Sequence, residues 1–483
     1  MRTIGRDFGD TARKVYAVAS GALGNGKTCV VNSDGTVSVI GASDTPTTGS
    51  PVVFEQANSQ FNSVAFDSNS NRIVVAYRDA GNSNYGTAIV GTVSGTSISF
   101  GTAVVFEAAN CAEVMATTFD SNSNKVVISY VDAGNSYYGT AIVGTVDSSD
   151  NSITFGTAAV FNSGATDYIA TTFDSNSNKV VIAYRLVYDR ASAKVATVSG
   201  TSISFGSATE FNASTTLYIS AVFDSNSNKV VLAYRSTGNS NYGTAIVGTV
   251  SSTSISFGSA ATFESAVSNY ISAAFDSNSN KVVVSYSDAG NSNHGTVAVG
   301  TVSSTSISFG TPVVFTASEP SLTSTSFDSN SNKVIISYRN EGNSSYGTLI
   351  VGTVSGTGIS FGTASVFEAA GTTNIGSTFD SSSNSIIIVY RDVGNSNYGT
   401  AVVYQQAPLN LTAENYIGIT PSAYPDGAGA EIQTKGAVNE EQSGLTAGQS
   451  YFVQTDGTLG TTAGDPSVFA GTAVSATKII VKG

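Results

Sequence analysis

The chain of 483 residues carries 21 Lys and Arg against 34 Asp and Glu, so only 11% of it is charged and its net charge is −13. Hydrophobic residues make up 41%, with 24 Phe, 22 Tyr and no Trp, which excludes a disordered chain of low hydrophobicity. The acidic balance argues against nucleic acid or an anionic membrane as partner, since both need clustered Lys and Arg, and no run approaches the ~18–20 apolar residues of a membrane span.

The N-terminal MRTIGRDFGD lacks the apolar stretch of a secretory signal, so export by that route is not expected. Within residues 1–45, Leu23–Val37 reads LGNGKTCVVNSDGTV, and its Asp34-Gly35 pair is a type I′ hairpin signal. Cys29 and Cys111 lie far apart, and no CxxC or Cys/His spacing suggests zinc. Both are expected to be free structural thiols. Gly49–Phe54 then reads GSPVVF and matches GTPVVF at Gly310–Phe315.

A repeat fills residues 46–407. The pair Phe-Asp recurs at Phe66, Phe119, Phe173, Phe223, Phe275, Phe327 and Phe379, with spacings of 53, 54, 50, 52, 52 and 52. The first unit holds four β segments: Ser63–Phe66 (a), Arg72–Arg78 (b), Thr87–Val93 (c) and Ser97–Phe106 (d), the last broken at Gly101. No segment sustains a 3.6-residue period, so helices should be few. A unit of about 50 residues with four antiparallel strands has the size of one β-propeller blade. Units one to six each carry a d segment, whereas the seventh stops after c at Tyr404. The missing strand is Gly49–Phe54 at the other end of the repeats. The predicted fold is therefore all-β, a seven-bladed propeller whose N-terminal strand closes the last blade and removes the open edges. Small pairs precede the Phe, such as Thr117-Thr118 and Ala273-Ala274, and suit an inner strand where the blades converge.

Residues 408–483 follow, with Pro408 and Pro421 marking the exit from the last blade. Leu445–Leu459, LTAGQSYFVQTDGTL, shares the frame of Leu23–Val37, and Asp456-Gly457 repeats the hairpin signal. The two flanking segments are expected to form one small β module, or two adjacent ones.

Two loop motifs carry candidate chemistry. The DSNSN loops place oxygens of Asp67, Asn69 and Asn71 at positions 1, 3 and 5, as a calcium loop does. Position 6 is Arg72 rather than Gly and position 12 is Arg78 rather than Glu, so a tight turn made by Asp and Asn fits better. No metal site and no cofactor are expected. The b–c loops, of the GNSNYG type, bring Tyr85, Tyr138, Tyr242, His294, Tyr346 and Tyr398 to one face, with Arg78, Arg235, Arg339 and Arg391 ending strand b nearby. Aromatics among amides suit sugar recognition or a protein interface. Alternatively each Tyr packs beneath its own loop, repeated because the unit was duplicated. The third unit departs from the pattern at Leu186–Lys194, LVYDRASAK, which makes Asp189 and Arg190 the first place to seek catalysis. The variable d–a loops, with Tyr168, Tyr218 and Tyr270 just before strand a, are where specificity would sit. His294 is the sole histidine, and no Ser/His/Asp arrangement is available without it, so no enzyme is expected.

The segments KVYAVASGALGNGKTCVVNSDGTVSVI and LTAGQSYFVQTDGTLGTTAGDPSVFAGTAVSATKIIVKG resemble terminal modules of tailed-bacteriophage virion proteins, the tail fibres and head-decoration fibres of marine phages. The FDSNSNKVV…GNSNYGTAIVGTV repeats are similar to the propeller arrays found with those modules. That resemblance implies a virion appendage made in the host cytoplasm, attached to other virion proteins through the terminal module and commonly oligomeric. The propeller would be the presented head, adhering to host-surface glycans weakly and many times over. The alternatives are a propeller-based glycan depolymerase and a purely structural decoration or spacer protein.

Overall fold

The computed structural model describes residues 13–40, 46–187, 190–406, 411–454, 457–464 and 466–482, the side chains of 113 and 114 excepted. It divides into two compact units, Thr47–Gln406 and the residues flanking it on both sides.

The larger unit is a seven-bladed β-propeller. In blade 1, residues 59–67 form strand a and pair with b, Arg72–Asp79, which pairs with c, Tyr85–Ser94. Strand d comes in two pieces: Ser97–Phe100 pairs with the end of c, and the beginning of Val104–Asp120 pairs with its start. The break falls at Gly101, as the sequence predicts. Val104–Asp120 then runs on from the outer edge of blade 1 to become the inner strand of blade 2. Strand b is buried along almost its whole length in every blade because neighbouring sheets cover both of its faces.

The N-terminal strand closes the ring. Val52, Val53, Glu55 and Asn58 pair with Ala401, Thr400, Gly399 and Tyr398, while Thr47 and Thr48 pair with Gln405 and Tyr404. In blade 7 only the short strand Thr47–Thr48 stands where blade 1 has Ser97–Phe100, and one residue accounts for the difference in packing. In blade 1, Gly91 leaves room for Phe100, whose ring would lie 2.8 Å from an added Cβ. Blade 7 has no such Phe, and Tyr404 at the same register fills the space, 2% exposed.

Each blade interface is built on one aromatic set. Phe54 on the outer strand of blade 7 lies 5.3 Å from Tyr77 and 5.7 Å from Phe100, both of blade 1. The Phe–Tyr contact recurs at 5.2–5.4 Å around the ring. Four of these tyrosines donate to a glutamate that follows the Phe: Tyr77 to Glu55, Tyr130 to Glu107, Tyr286 to Glu264 and Tyr390 to Glu368, at 2.8–2.9 Å. A buried phenol thereby keeps its polar end satisfied.

The smaller unit contains two sheets of five strands with one topology. The first has the order Lys14–Val18, Gly429–Gln433, Tyr416–Ile419, Thr28–Val31, Val37–Val39; the second has Val438–Asn439, Lys478–Val481, Val468–Ser475, Ser450–Val453, Leu459–Gly460. Their hairpins close alike, Asn32 N to Thr36 O and Gln454 N to Thr458 O, both at 2.9 Å. Their bulges coincide too, at Gly418 with φ 153° and Gly471 with φ 156°. The module is thus a duplicated sheet, and the propeller segment interrupts the first copy between its third and fourth strands in sequence. Val30, Ile419, Val453, Val468 and Ile479 share the core between the two sheets. Cys29 and Cys111 are both free and buried, and burial pushes the Cys29 thiol up to about 12.

Candidate functional site

The inner strands do not enter the ring as regular β structure. Pairing with strand b skips two residues between Gln60/Ser63, Asp167/Ala170, Leu217/Ser220, Asn269/Ser272, Ser321/Ser324 and Thr373/Gly376. The first residue of each bulge sits in the left-handed region: Phe61 (φ 54°), Tyr168 (46°), Tyr218 (52°), Tyr270 (50°), Leu322 (54°) and Asn374 (51°). Asn tolerates this conformation, but bulky side chains rarely adopt it, and a bulge of this kind ordinarily takes Gly. Each such residue costs on the order of 1–3 kcal/mol, and strain of this sort collects at ligand sites.

The bulges form a collar around one mouth of the axial channel. Phe61, Met115, Tyr218, Tyr270, Leu322 and Asn374 line a recess of about 250 Å³ there. The channel itself, about 360 Å³, is lined by short residues of the seven inner strands, including Ser63, Thr117, Thr171, Ser220, Ser272 and Ser377. The aromatic rings touch their neighbours: Tyr168 and Tyr218 are 5.7 Å apart at 75°, Tyr218 and Tyr270 5.3 Å apart at 56°. All are half-buried. Burial raises the Tyr168 and Tyr270 phenols, with Tyr218 adding to both.

Arginines stand behind the collar. Arg78, Arg185 and Arg235 lie over the rings of Phe61, Tyr168 and Tyr218, at 4.8, 4.7 and 5.0 Å. Arg185 is buried in an ion pair with Asp167, and Arg339 Nε lies 3.0 Å from Glu341 Oε1. Arg391 Nε donates to Thr373 Oγ1 (2.6 Å) and Nη1 to Asn58 Oδ1 (3.3 Å). Burial, with the nearby Arg339 charge, lowers the Arg391 pKa. Glu319 and Glu341 add negative charge beside Tyr270.

The residues singled out from the sequence fall into two groups. Arg78, Arg235, Arg339 and Arg391 gather at the mouth, joined by Arg185, which the sequence reading left out. Tyr85, Tyr138, Tyr242, His294, Tyr346 and Tyr398 begin strand c opposite the last residue of strand b, half-buried and one to a blade. They share the face of the mouth, since the d–a crossovers bond the b–c loops, as from Cys111 N to Asn84 O (3.0 Å). No aromatic contact joins any two of them among the described residues. The Gly after the Tyr has a packing role: a Cβ on Gly399 would lie 2.5 Å from the Phe54 ring.

The DSNSN loops are turns on the opposite ends of the strands. Asp67 Oδ1 accepts from Asn69 N (2.9 Å) and Ser70 N (3.1 Å), and the other six aspartates do likewise. Asp189 lies outside the described residues; Arg190 pairs with Glu210 at 2.7 Å.

Of the bulge residues, the sequence pointed to Tyr168, Tyr218 and Tyr270 as places of specificity and did not name Phe61, Leu322 or Asn374, although all six stand five places before the Phe-Asp pair. A constant offset with changing large residues was the available signal.

No family model and no curated protein matches the chain. Solved structures do resemble it. The leech intramolecular trans-sialidase is 9% identical, with 76% of this chain and 70% of that one covered and a TM-score of 0.44. The periplasmic gluconolactonase PpgL of Pseudomonas aeruginosa is 10% identical, with 73% and 96% covered and a TM-score of 0.47. A triple arginine-to-alanine mutant of AofleA from Arthrobotrys oligospora is 11% identical, with 67% and 88% covered and a TM-score of 0.42. Two of the three are enzymes by name, against the expectation that this chain is none, and a single histidine is no argument against catalysis. The β-propeller fold itself rests on the strand pairing of this chain.

Proposed function

We propose that the propeller binds a saccharide at the collar. The observation that carries this is the set of bulky residues Phe61, Tyr218, Tyr270 and Leu322, all held at positive φ around one recess, with Tyr168 in the same conformation against Tyr218. Aromatic faces stack on the C–H faces of sugar rings, while Asn374 and the arginines supply donors for hydroxyls. Strain kept at five equivalent places is hard to assign to folding, because Gly would relieve it at each. The test is a glycan array with the wild-type chain and the variants Tyr218→Ala and Tyr270→Ala. Binding lost in both variants supports the collar; binding retained in both overturns it.

A second reading, cleavage of the bound saccharide, rests on Asp167, a buried carboxylate paired with Arg185 directly beside Tyr168. Release of reducing ends from a bound polysaccharide, abolished by Asp167→Asn, would establish it. We read the duplicated terminal module as the attachment part of a virion appendage, on its resemblance to phage terminal modules. Co-sedimentation of the chain with phage particles, lost when the module is removed, is the corresponding experiment.

A further inference from the structure

Stacking and hydroxyl bonding at the collar leave the charge of two of its arginines uncompensated. Among the described residues, Arg185 and Arg339 have carboxylate partners, in Asp167 and Glu341. Arg235 and Arg391 have none within ion-pair distance. Arg235 bonds the amide oxygen of Asn269 and lies over Tyr218, and its Nε is buried with no hydrogen-bond partner. Arg391 is held by Thr373 and Asn58, both neutral. Thr373 adjoins Asn374 of the recess wall, and Asn58 precedes Phe61 on the same strand. Arg391 therefore stands at the rim between blades 7 and 1, with the like charge of Arg339 on its other side.

A partly buried guanidinium with only neutral partners has lost hydration without gaining a counter-charge, and an anion bound to it would supply one. A planar fork of donors is also the group best suited to a carboxylate or sulfate. We propose that the saccharide taken at the mouth is acidic, its anionic group received by Arg391 beside Arg339 while its ring stacks on the collar. Arg235, beside Arg185 on the far side of the recess, offers a second anion contact to a longer chain. This rests on the saccharide reading above and names the class of sugar.

The experiment uses the full chain on an array holding neutral, carboxylated and sulfated glycans. It is followed by calorimetric titration with an oligogalacturonate, its methyl ester and a sulfated oligosaccharide at low and high salt. The ester keeps the sugar and removes the charge. The acid should bind about tenfold or more tightly than the ester, the scale of one charge-assisted hydrogen bond, and the difference should shrink with salt. Arg391→Gln should remove that preference, bringing the acid down to the affinity of the ester, with Arg391→Lys restoring part of it. A sulfated ligand preferred over both would keep the anion site and change the anion. Equal binding of acid and ester, or a preference that survives Arg391→Gln and Arg235→Gln, overturns the inference while the saccharide reading stands. No binding to any glycan on the array overturns both.

Discussion

Two rings of aromatic residues circle this molecule, and they are built on opposite terms. The ring at the blade interfaces, Phe54 with Tyr77 and its six counterparts, is uniform, buried between blades and free of residues at positive φ. The collar varies around the ring, Phe, Leu and Asn in some blades and Tyr in three, stands half in solvent, and holds large side chains at φ values of 46–54°. Repetition without variation follows the demands of packing, where one solution serves seven interfaces. Variation at a fixed, costly position is what recognition needs. The contrast assigns stability to the first ring and binding to the second, and each assignment can be broken by substitution.

The largest effect is expected from the buried ring. Phe263 contacts both Tyr286 and Phe309 across one interface, and Phe263→Ala should cost about 3–5 kcal/mol in chemical denaturation. Tyr218→Ala should cost far less, since its ring is half exposed. Similar losses at both positions would erase the distinction between the rings. In binding the order reverses. Tyr218→Ala should weaken saccharide affinity about tenfold or more, roughly 1.4 kcal/mol, whereas Tyr286→Phe, which removes only the bond to Glu264, should leave it unchanged in titration.

A smaller and more pointed effect tests the strain itself. At a positive φ, Gly is more stable than Ala because it lacks the Cβ that the conformation crowds. Tyr218→Gly should therefore be about 1 kcal/mol more stable than Tyr218→Ala in chemical denaturation, the reverse of the order in a regular strand. Equal stabilities would mean that the bulge relaxes in the variants and that the collar stores nothing.

Most of the fold was legible because it is local and repeated. Asp67 and Asn69 announce a turn, the run Ile73-Val74-Val75 in strand b announces burial on both faces, and the GSPVVF match at Gly49–Phe54 announces closure. The mouth was less legible for two physical reasons. A bulge normally advertises itself by Gly, and here Phe61, Tyr168 and Leu322 occupy the position, so nothing in the residue type signals the conformation. Residues about 52 apart also become neighbours only when the ring closes, which is why Tyr218 and Tyr270 read as loop residues of separate units. In the YG pairs the repeat has a packing reason only at the glycines, since Gly86 and Gly399 must admit a Phe ring.

The smallest effect concerns the uniform ring and its pH dependence. Burial raises the carboxyl pKa values of Glu55, Glu107, Glu264 and Glu368 above the ordinary 4.5, and the bond from each Tyr only partly offsets this. A carboxyl raised on folding stabilises the native state fully below its unfolded pKa and loses that contribution as pH rises through its folded one. These four groups should therefore make the propeller melt higher just below the ordinary carboxylate range than just above it. Asp34 and Asp147 act oppositely, lowered first of all by side-chain bonds from Thr36 and Ser149, but both are fully exposed, so their influence is weak. Replacing the four glutamates together by Gln keeps an oxygen to accept each Tyr hydroxyl and removes the titration. The quadruple variant should then melt at a temperature nearly independent of pH across that window in scanning calorimetry. A slope that persists would place the titrating groups outside the uniform ring and would separate the melting of the blades from these four carboxyls.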